Sequence, residues 1–265
     1  MEIYTRLYEL LEDTARHRTV AHLCIGLGYT VVVLDNGHSG VAFSWVEMKG
    51  SCTLFKDPED YEGKSASLLL KKLFSQDLLE RSVAVATVNA LNYSAASSCA
   101  EDRDSLLDDL HIAEGSRVSM IGYFGPVVAK IQARGASVNA FDLGKQIGSQ
   151  EEFYRNLEQN SDAVILTSTS LIHGSTEEVL SHVPQGTPCV LLGPTTPMLP
   201  EAFAHLPINI LGGTLPLDND RVIKAVRHGR GTHAIQRPRV RCTGKKVNRQ
   251  LPGRVAARRA FPGHF

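Results

Sequence analysis

RVSMIGYFGPVVAKIQARGASVNAFDL, residues 117–143, decides the fold. The apolar run RVSMIGYF ends in glycine-bearing turn chemistry. PVVAKIQARG follows as a helical segment, with Pro126 placed near its first turn, where a missing N–H costs nothing. SVNAFDL is extended again. A strand, a helix and a strand joined by short connections make a right-handed βαβ unit.

Reading outward, the pattern repeats. QEEFYRNLEQN (150–160) is a polar helix, DAVILTST (162–169) a strand and TEEVLSHV (176–183) a helix. PCVLLG (188–193) is a strand, PEAFAHL (200–206) a short helix, INILGGT (208–214) a strand and LDNDRVIKAVRHG (217–229) a helix. Five strands alternating with five helical segments predict a Rossmann-like parallel sheet over residues 110–230. Runs as continuously apolar as AVILT and CVLLG place helices on both of its faces.

Upstream the pattern differs. Ile3, Leu7, Leu10 and Leu11 recur at spacings that put them on one face of a helix over 1–16. Tyr29–Leu34 and Val41–Val46 read as two strands, and DNGHSG between them reads as a hairpin turn. KDPEDYEGKSA is a loop. SASLLLKKLFSQ and LLERSVAVATVNALNYSAA are helices, the second buried. Residues 1–100 therefore predict an α+β domain. EDRDSLLDDLHIAEGS (101–116) is a polar helix and connector before the α/β part.

A hydrophobic content of 43% supports real cores, and 6% aromatics with 22 glycines suit an α/β protein. The longest apolar runs are far too short for a membrane span, and the charged, amphipathic start is unlike a signal peptide, so a cytoplasmic location without membrane contact is expected. Five scattered cysteines with no CxxC pair read as reduced thiols. All 28 acidic residues precede residue 221, whereas 13 of the 28 Lys and Arg lie in 221–265, so the two segments carry −13 and +13. Residues 231–265, biased to Arg, Gly and Pro, read as a basic tail without a core of its own. Such a tail suits nucleic acid or another polyanion, with folding back onto the acidic body or plain solvation as the alternatives. It has neither an RNA-binding signature nor the aromatics that base stacking needs.

In an open parallel sheet, ligands bind beyond the carboxyl ends of the strands. That rule selects five loops: Gly122–Pro126, Asp142–Gly144, Thr167–Thr176, Gly193–Pro197 and Gly212–Thr214. Glycines admit close backbone approach, and hydroxyls with helix N-terminal N–H groups suit an anion. GYFG followed by Asp142 imitates a nucleotide-binding layout, although its spacing is GxxG and Asp142 also reads as a cap or turn residue. His173 reads as a turn residue or as a ligand. Thr176 reads as a helix N-cap. Asn89 and Asn92 need partners within the buried helix, supplied either by a site between the domains or by helix packing. His22, Cys24, Asp35 and His38 lack zinc-finger spacing and read as structural.

VNALNY (88–93), IGYFGPVV (121–128), TSTSLIHGSTEEVL (167–180) and LLGPTTPMLP (191–200), in this order, resemble the family labelled "putative heavy-metal chelation domain", as does the hairpin segment GYTVVVLDNGHSGVAF (28–43). The resemblance covers residues 1 to about 230. It implies an enolase N-terminal-like domain joined to a Rossmann-like domain, with a cleft between them. By matching position the cleft residues are Asn89, Asn92, Gly122, Phe124, Gly125, Thr169, His173, Thr176, Gly193, Thr195, Thr196 and Pro197. The resemblance carries over no metal ligands and says nothing of the Arg-rich extension.

Three functions are expected to compete. The first is binding of a small anionic ligand or a metal–ligand complex in the cleft, with a transition metal as its cofactor. The second is a nucleotide-cofactor enzyme of S-adenosylmethionine type using GYFG and Asp142. The third is an interaction protein acting through its tail. A homodimer is the expected assembly state if the chain is not monomeric.

Overall fold

The computed structural model describes residues 1–46, 53–101, 105–235 and 239–243. Cys52, part of the connector read over 101–116, and most of the basic tail lie outside the described residues.

The chain opens with α1 (Glu2–Arg16), then runs β1 (Val20–Ile25), β2 (Tyr29–Leu34) and β3 (Ser39–Phe43) as an antiparallel three-stranded sheet. α1 buries Ile3, Leu7 and Leu11 as the spacing predicts, but Leu10 falls outside the stripe and is exposed. The hairpin turn sits where DNGHSG places it, closed by Gly37 N–H donating to Leu34 O. After α2 (Ser67–Leu70) and a 3-10 turn (Lys71–Phe74) comes α3 (Leu78–Leu91), started by Asp77, whose carboxylate accepts from the Leu79 and Glu80 N–H groups. α3 is buried almost all round. It breaks at Asn92 before α4 (Tyr93–Ser97), β4 (Ala100–Glu101) and α5 (Leu106–Asp109). The polar helix read over 101–116 is thus a single turn.

The second part follows the sequence pattern closely: β5 (Arg117–Ile121), α6 (Gly125–Ala133), β6 (Ser137–Phe141), α7 (Gln150–Asn160), β7 (Ala163–Thr167), α8 (Ser170–His173), α9 (Thr176–Ser181), β8 (Cys189–Leu192), a 3-10 turn (Pro200–Phe203), β9 (Ile210–Thr214) and α10 (Asn219–Arg227). β5 through β9 are parallel. In space they run β6-β5-β7-β8-β9, which in chain order is 2-1-3-4-5. Then α11 (Thr232–Ile235) and β10 (Arg239–Thr243) return the chain to the sheet, with β10 antiparallel between β9 and β4. The first residues of the segment read as a tail are therefore built into the fold. The physical reason is local: RVRCT alternates, and its Val240 is buried.

Alternation along the strands sorts the core. Val118, Met120, Ala163, Ile165 and Val190 face α5 and α6. Val164, Leu166, Cys189 and Leu191 face α7, α9 and the helices of the N-terminal part, in one core that runs from Ile3 to Val240. α10 continues the βα alternation in sequence but not in space. Its Val222 and Val226 pack with Ile235 on Tyr29, Val31, Val33 and Val41 of the small sheet. The two parts are interlocked: the first covers one face of the large sheet, and the last long helix of the second covers the small one. Periodicity reports that a helix has an apolar face, not which sheet receives it.

Cysteines depart from expectation. Cys99 and Cys242 are joined as a disulfide, while Cys24 and Cys189 are free thiols. Burial pushes the Cys189 thiol up to about 12, so it behaves as a small core hydrophobe.

An ion-pair network anchors the 53–64 loop. Lys72 Nζ lies 2.5 Å from Asp57 Oδ2 and 2.9 Å from Glu80 Oε1, and Tyr61 Oη donates to the same Asp57 oxygen. The Lys72 ammonium, the Tyr61 hydroxyl and the Glu59 N–H together hold the Asp57 carboxyl down to about 2. A carboxyl depressed in the folded state contributes stability that is present above its unfolded value and is lost as pH falls through its folded value. Between pH 5 and pH 2 the urea midpoint is therefore expected to drop. Asp57→Asn should lower the midpoint at pH 5 and flatten that pH dependence. An unchanged slope in the variant would assign the acid sensitivity to other carboxyls.

Candidate functional site

In the 2-1-3-4-5 order, chain connections leave β5 to one side and β7 to the other, so a crevice opens between the carboxyl ends of these two strands. Gly122 ends β5 with φ +79°, and a Cβ there would lie 2.7 Å from Thr167 Cβ. Glycine is thus required both by conformation and by the close approach of the two strand ends. Beside Thr167, Ser168 is 1% exposed, and its hydroxyl has no hydrogen-bond partner among the described residues. It faces Gly193, at the end of β8, where an added Cβ would meet Ser168 Oγ at 2.7 Å.

The loop after β7 holds the hydroxyls in a chain. Thr167 Oγ1 and Thr169 Oγ1 are 3.0 Å apart, Ser170 Oγ donates to Thr167 O at 2.7 Å, and Ser170 Oγ lies 2.8 Å from Thr176 Oγ1. Thr176 is therefore not the N-cap of α9. Ser175 occupies that position, and Thr176 is fully buried in the loop's own bonding. His173, the last residue of α8, is exposed, and its ring stands 5.4 Å from that of Trp45. Trp45 contacts Phe43 edge-on at 6.1 Å, and Phe43 N–H donates to Thr195 Oγ1 at 2.9 Å. The end of β3 is thus docked on the strand-end loops of the large sheet.

Thr195, Thr196 and Pro197 are buried rather than displayed. Thr195 receives Phe43, and Thr196 Oγ1 bonds Gly193 O and Gly212 O, both at 2.8 Å. Asn89 Nδ2 donates to Val41 O at 2.8 Å and to Thr195 O at 3.3 Å, and Asn92 Nδ2 donates to Met198 O at 2.7 Å. Both amides act as packing bonds between α3 and its neighbours. Asp142 is a turn residue: Oδ2 accepts the Tyr123 N–H at 2.8 Å and Oδ1 the Lys145 N–H at 3.0 Å. An N–H of the glycine loop that a nucleotide phosphate would take is therefore already given to a carboxylate. Phe124 precedes α6, and Gly125 is its first residue, one earlier than the proline suggests.

Sequence reasoning missed Trp45 and Arg81. Trp45 is the chain's single tryptophan, and that rarity was the available signal; the 41–46 run read as a strand puts it inside the strand, whereas β3 ends at Phe43 and leaves Trp45 beyond it. Arg81 is 7% exposed. Its Nη1 donates to Ile172 O and its Nη2 to Ser75 O, each at 2.6 Å, so it ties α3 to the loop that carries His173. Nothing in the sequence distinguishes it from a surface arginine.

Among the described residues no group of three or more His, Cys, Asp or Glu side chains is close enough to hold a metal ion. One imidazole beside hydroxyls is a poor set for a transition metal. No described helix is long and apolar enough to cross a membrane.

Fold and site define a doubly wound α/β protein whose switch-point loops are closed on one side by an antiparallel α+β part. Within that class the chain belongs to the family described as putative heavy-metal chelation. One sequence profile of that description matches residues 105–243 and a second matches residues 8–92. An uncharacterized protein of Methanocaldococcus jannaschii is 24% identical over 230 residues, covering 84% of this chain and 88% of that protein. A crystal structure from Pyrococcus horikoshii, of a family member with unknown function, superposes with a TM-score of 0.74 at 19% identity, covering 90% of this chain and 98% of that one. One from Desulfitobacterium hafniense superposes with 0.69 at 16% identity, covering 89% and 98%. These similarities carry the fold.

Proposed function

We propose that the protein binds a small anionic ligand, or a metal complex of one, in the crevice between the ends of β5 and β7, and that it does so in the cytoplasm. The observation that carries this reading is the close approach of Gly122 and Thr167 at the switch point, followed along the chain by the unpartnered Ser168 hydroxyl, which faces Gly193, and by His173 with its ring beside Trp45. The Gly122 and Gly193 N–H groups are already given to Phe141 O and Gly212 O, so the donors left for anionic oxygens are the hydroxyls, and the buried Ser168 hydroxyl without a partner is an open hydrogen-bonding position. Metal enters this reading as cargo. The described side chains do not make a protein-only centre, so the ion keeps the ligands of its own chelator and the protein grips the complex. Among the described residues placed here, His173 carries the side chain suited to an open coordination position.

Trp45, as the only tryptophan, reports on the site by fluorescence. Titrations with citrate, inorganic phosphate, and the citrate complexes of Ni(II), Co(II), Zn(II) and Fe(III) test the proposal. A saturable change is expected with at least one, and His173→Ala is expected to weaken it by about tenfold, the loss of one good contact. Ser168→Ala removes an unpaired buried hydroxyl, so stability should move by no more than about 0.5 kcal/mol while binding weakens. Folded protein that gives neither fluorescence change nor heat with any of these probes would end the proposal.

A further inference from the structure

Cys99 and Cys242 lie 143 positions apart in the chain, yet their Cα atoms are 5.2 Å apart. The backbone ladder brings them together. β10 runs antiparallel to β4 with Val240 opposite Glu101 and Arg241 opposite Ala100, so the next rung sets Cys242 against Cys99. The pairing is fixed by strand register, and a Cα separation of this size suits a disulfide. Both residues are half-buried, within reach of a small thiol, unlike Cys189.

The linkage spans two regions that little else joins at this edge. Cys99 follows α4, at the end of the N-terminal part. Cys242 lies in β10, ahead of a segment of sequence in which every charged residue is Lys or Arg. Among the described residues β10 has five paired residues with β9 on one side and the two residues of β4 on the other. Arg241 adds bonds to Asp109 Oδ2 and Ser105 Oγ, each at 2.6 Å. A two-residue strand is marginal by itself. The covalent link adds to this short ladder and to the Arg241 bonds in holding β4 against β10.

We infer that Cys99 and Cys242 form a reversible disulfide clasp, closed by exchange with a low-molecular-weight disulfide such as glutathione disulfide and opened by thiols. On closing, one cysteine thiolate attacks the small disulfide and expels a thiolate. The second cysteine then attacks the mixed disulfide and expels the other thiolate. Two electrons pass from the protein dithiol to the reagent, and the two cysteine protons end on two reagent thiols. In a reducing compartment such a bond serves as a response to oxidation rather than as a permanent staple. Closed, it fixes the outer edge of the sheet and the starting point of the basic segment. Open, it frees β4 and the outer side of β10.

The test uses the full chain equilibrated with glutathione disulfide or with dithiothreitol. Peptide mapping by mass spectrometry is expected to find Cys99 linked to Cys242 in the first and both alkylated in the second. Amide hydrogen exchange over 99–101 and 239–243 should rise at least tenfold on reduction, with β5 and β7 unchanged, and the thermal midpoint should fall by about 5–10 °C. Cys99→Ser should match the reduced protein in both buffers. If that variant does not fold, the wild type in the two buffers still decides. The inference is overturned if the oxidised protein keeps both thiols free or links either one elsewhere. It is also overturned if the linked and reduced forms exchange alike at this edge.

Discussion

Replacing Arg81 by methionine is expected to lower stability by about 2–5 kcal/mol, the cost of leaving two buried carbonyl oxygens without their donors. The guanidinium donates through Nε at 3.2 Å and Nη2 at 2.6 Å to Ser75 O, the residue closing the 71–74 turn. Through Nη1 it donates to Ile172 O, in the turn before His173. Its plane also stands 5.1 Å over the Tyr4 ring, and the Tyr4 hydroxyl donates to Leu171 O. Methionine fills similar volume but leaves these carbonyl oxygens buried without their donors. Lysine restores the charge without the planar fork, so Arg81→Lys should still lose about 2 kcal/mol. Urea unfolding followed by circular dichroism measures both. A loss under about 1 kcal/mol for methionine, the size of a neutral hydrogen bond, would mean that water replaces the guanidinium at these carbonyls. Binding should weaken as well in folded Arg81→Lys, because the loop bearing His173 loses a tether.

The order of elements is legible in the sequence because each strand and helix of the α/β part satisfies its own period and its own punctuation. QEEFYRNLEQN coincides with α7, and Tyr29–Leu34 with β2. Sheet order is not legible, since the alternation βαβα is the same whichever side each crossover takes. The rule that ligands sit at strand ends points to one rim of the sheet, but not to which loops face outward. Thr195, Thr196 and Thr176 have the composition of binding loops and are consumed by internal bonds, because a hydroxyl satisfies buried carbonyls and N–H groups as readily as a ligand. Asn89 and Asn92 do take partners, as amides in a buried helix must. Which partners they take depends on how closely β3 and the 195–198 loop approach α3, and that is a tertiary fact. Trp45 stands out in the sequence only by its rarity; its role arises from a contact with His173, more than a hundred residues away.

That close approach makes Gly40, among the described glycines, the one whose added methyl would lie nearest to backbone atoms. An added Cβ at Gly40 would lie 2.2 Å from Ala90 N, 2.3 Å from Ala86 O and 2.6 Å from Asn89 C. All three are backbone atoms of α3, so no side-chain rotation relieves the overlap. Either β3 lifts from the helix or α3 bends, and both lie in the core. Overpacking that side chains can absorb costs about 1–3 kcal/mol, and here the loss should exceed about 3 kcal/mol because rigid backbone must move. Lifting β3 also lengthens the Asn89 Nδ2 bond to Val41 O and draws Phe43 away from Thr195, so the rim formed by Trp45 and His173 opens. The variant is expected to be recovered mostly insoluble, or with a urea midpoint far below wild type and quenching of Trp45 altered. Gly231→Ala is the matching control, since nothing lies within 4 Å of its added methyl, and it should stay within about 0.5 kcal/mol of wild type. A Gly40→Ala protein as stable as that control would mean that α3 and β3 do not touch through their backbones. The crevice at the strand ends would then lack the wall on which its proposed function depends.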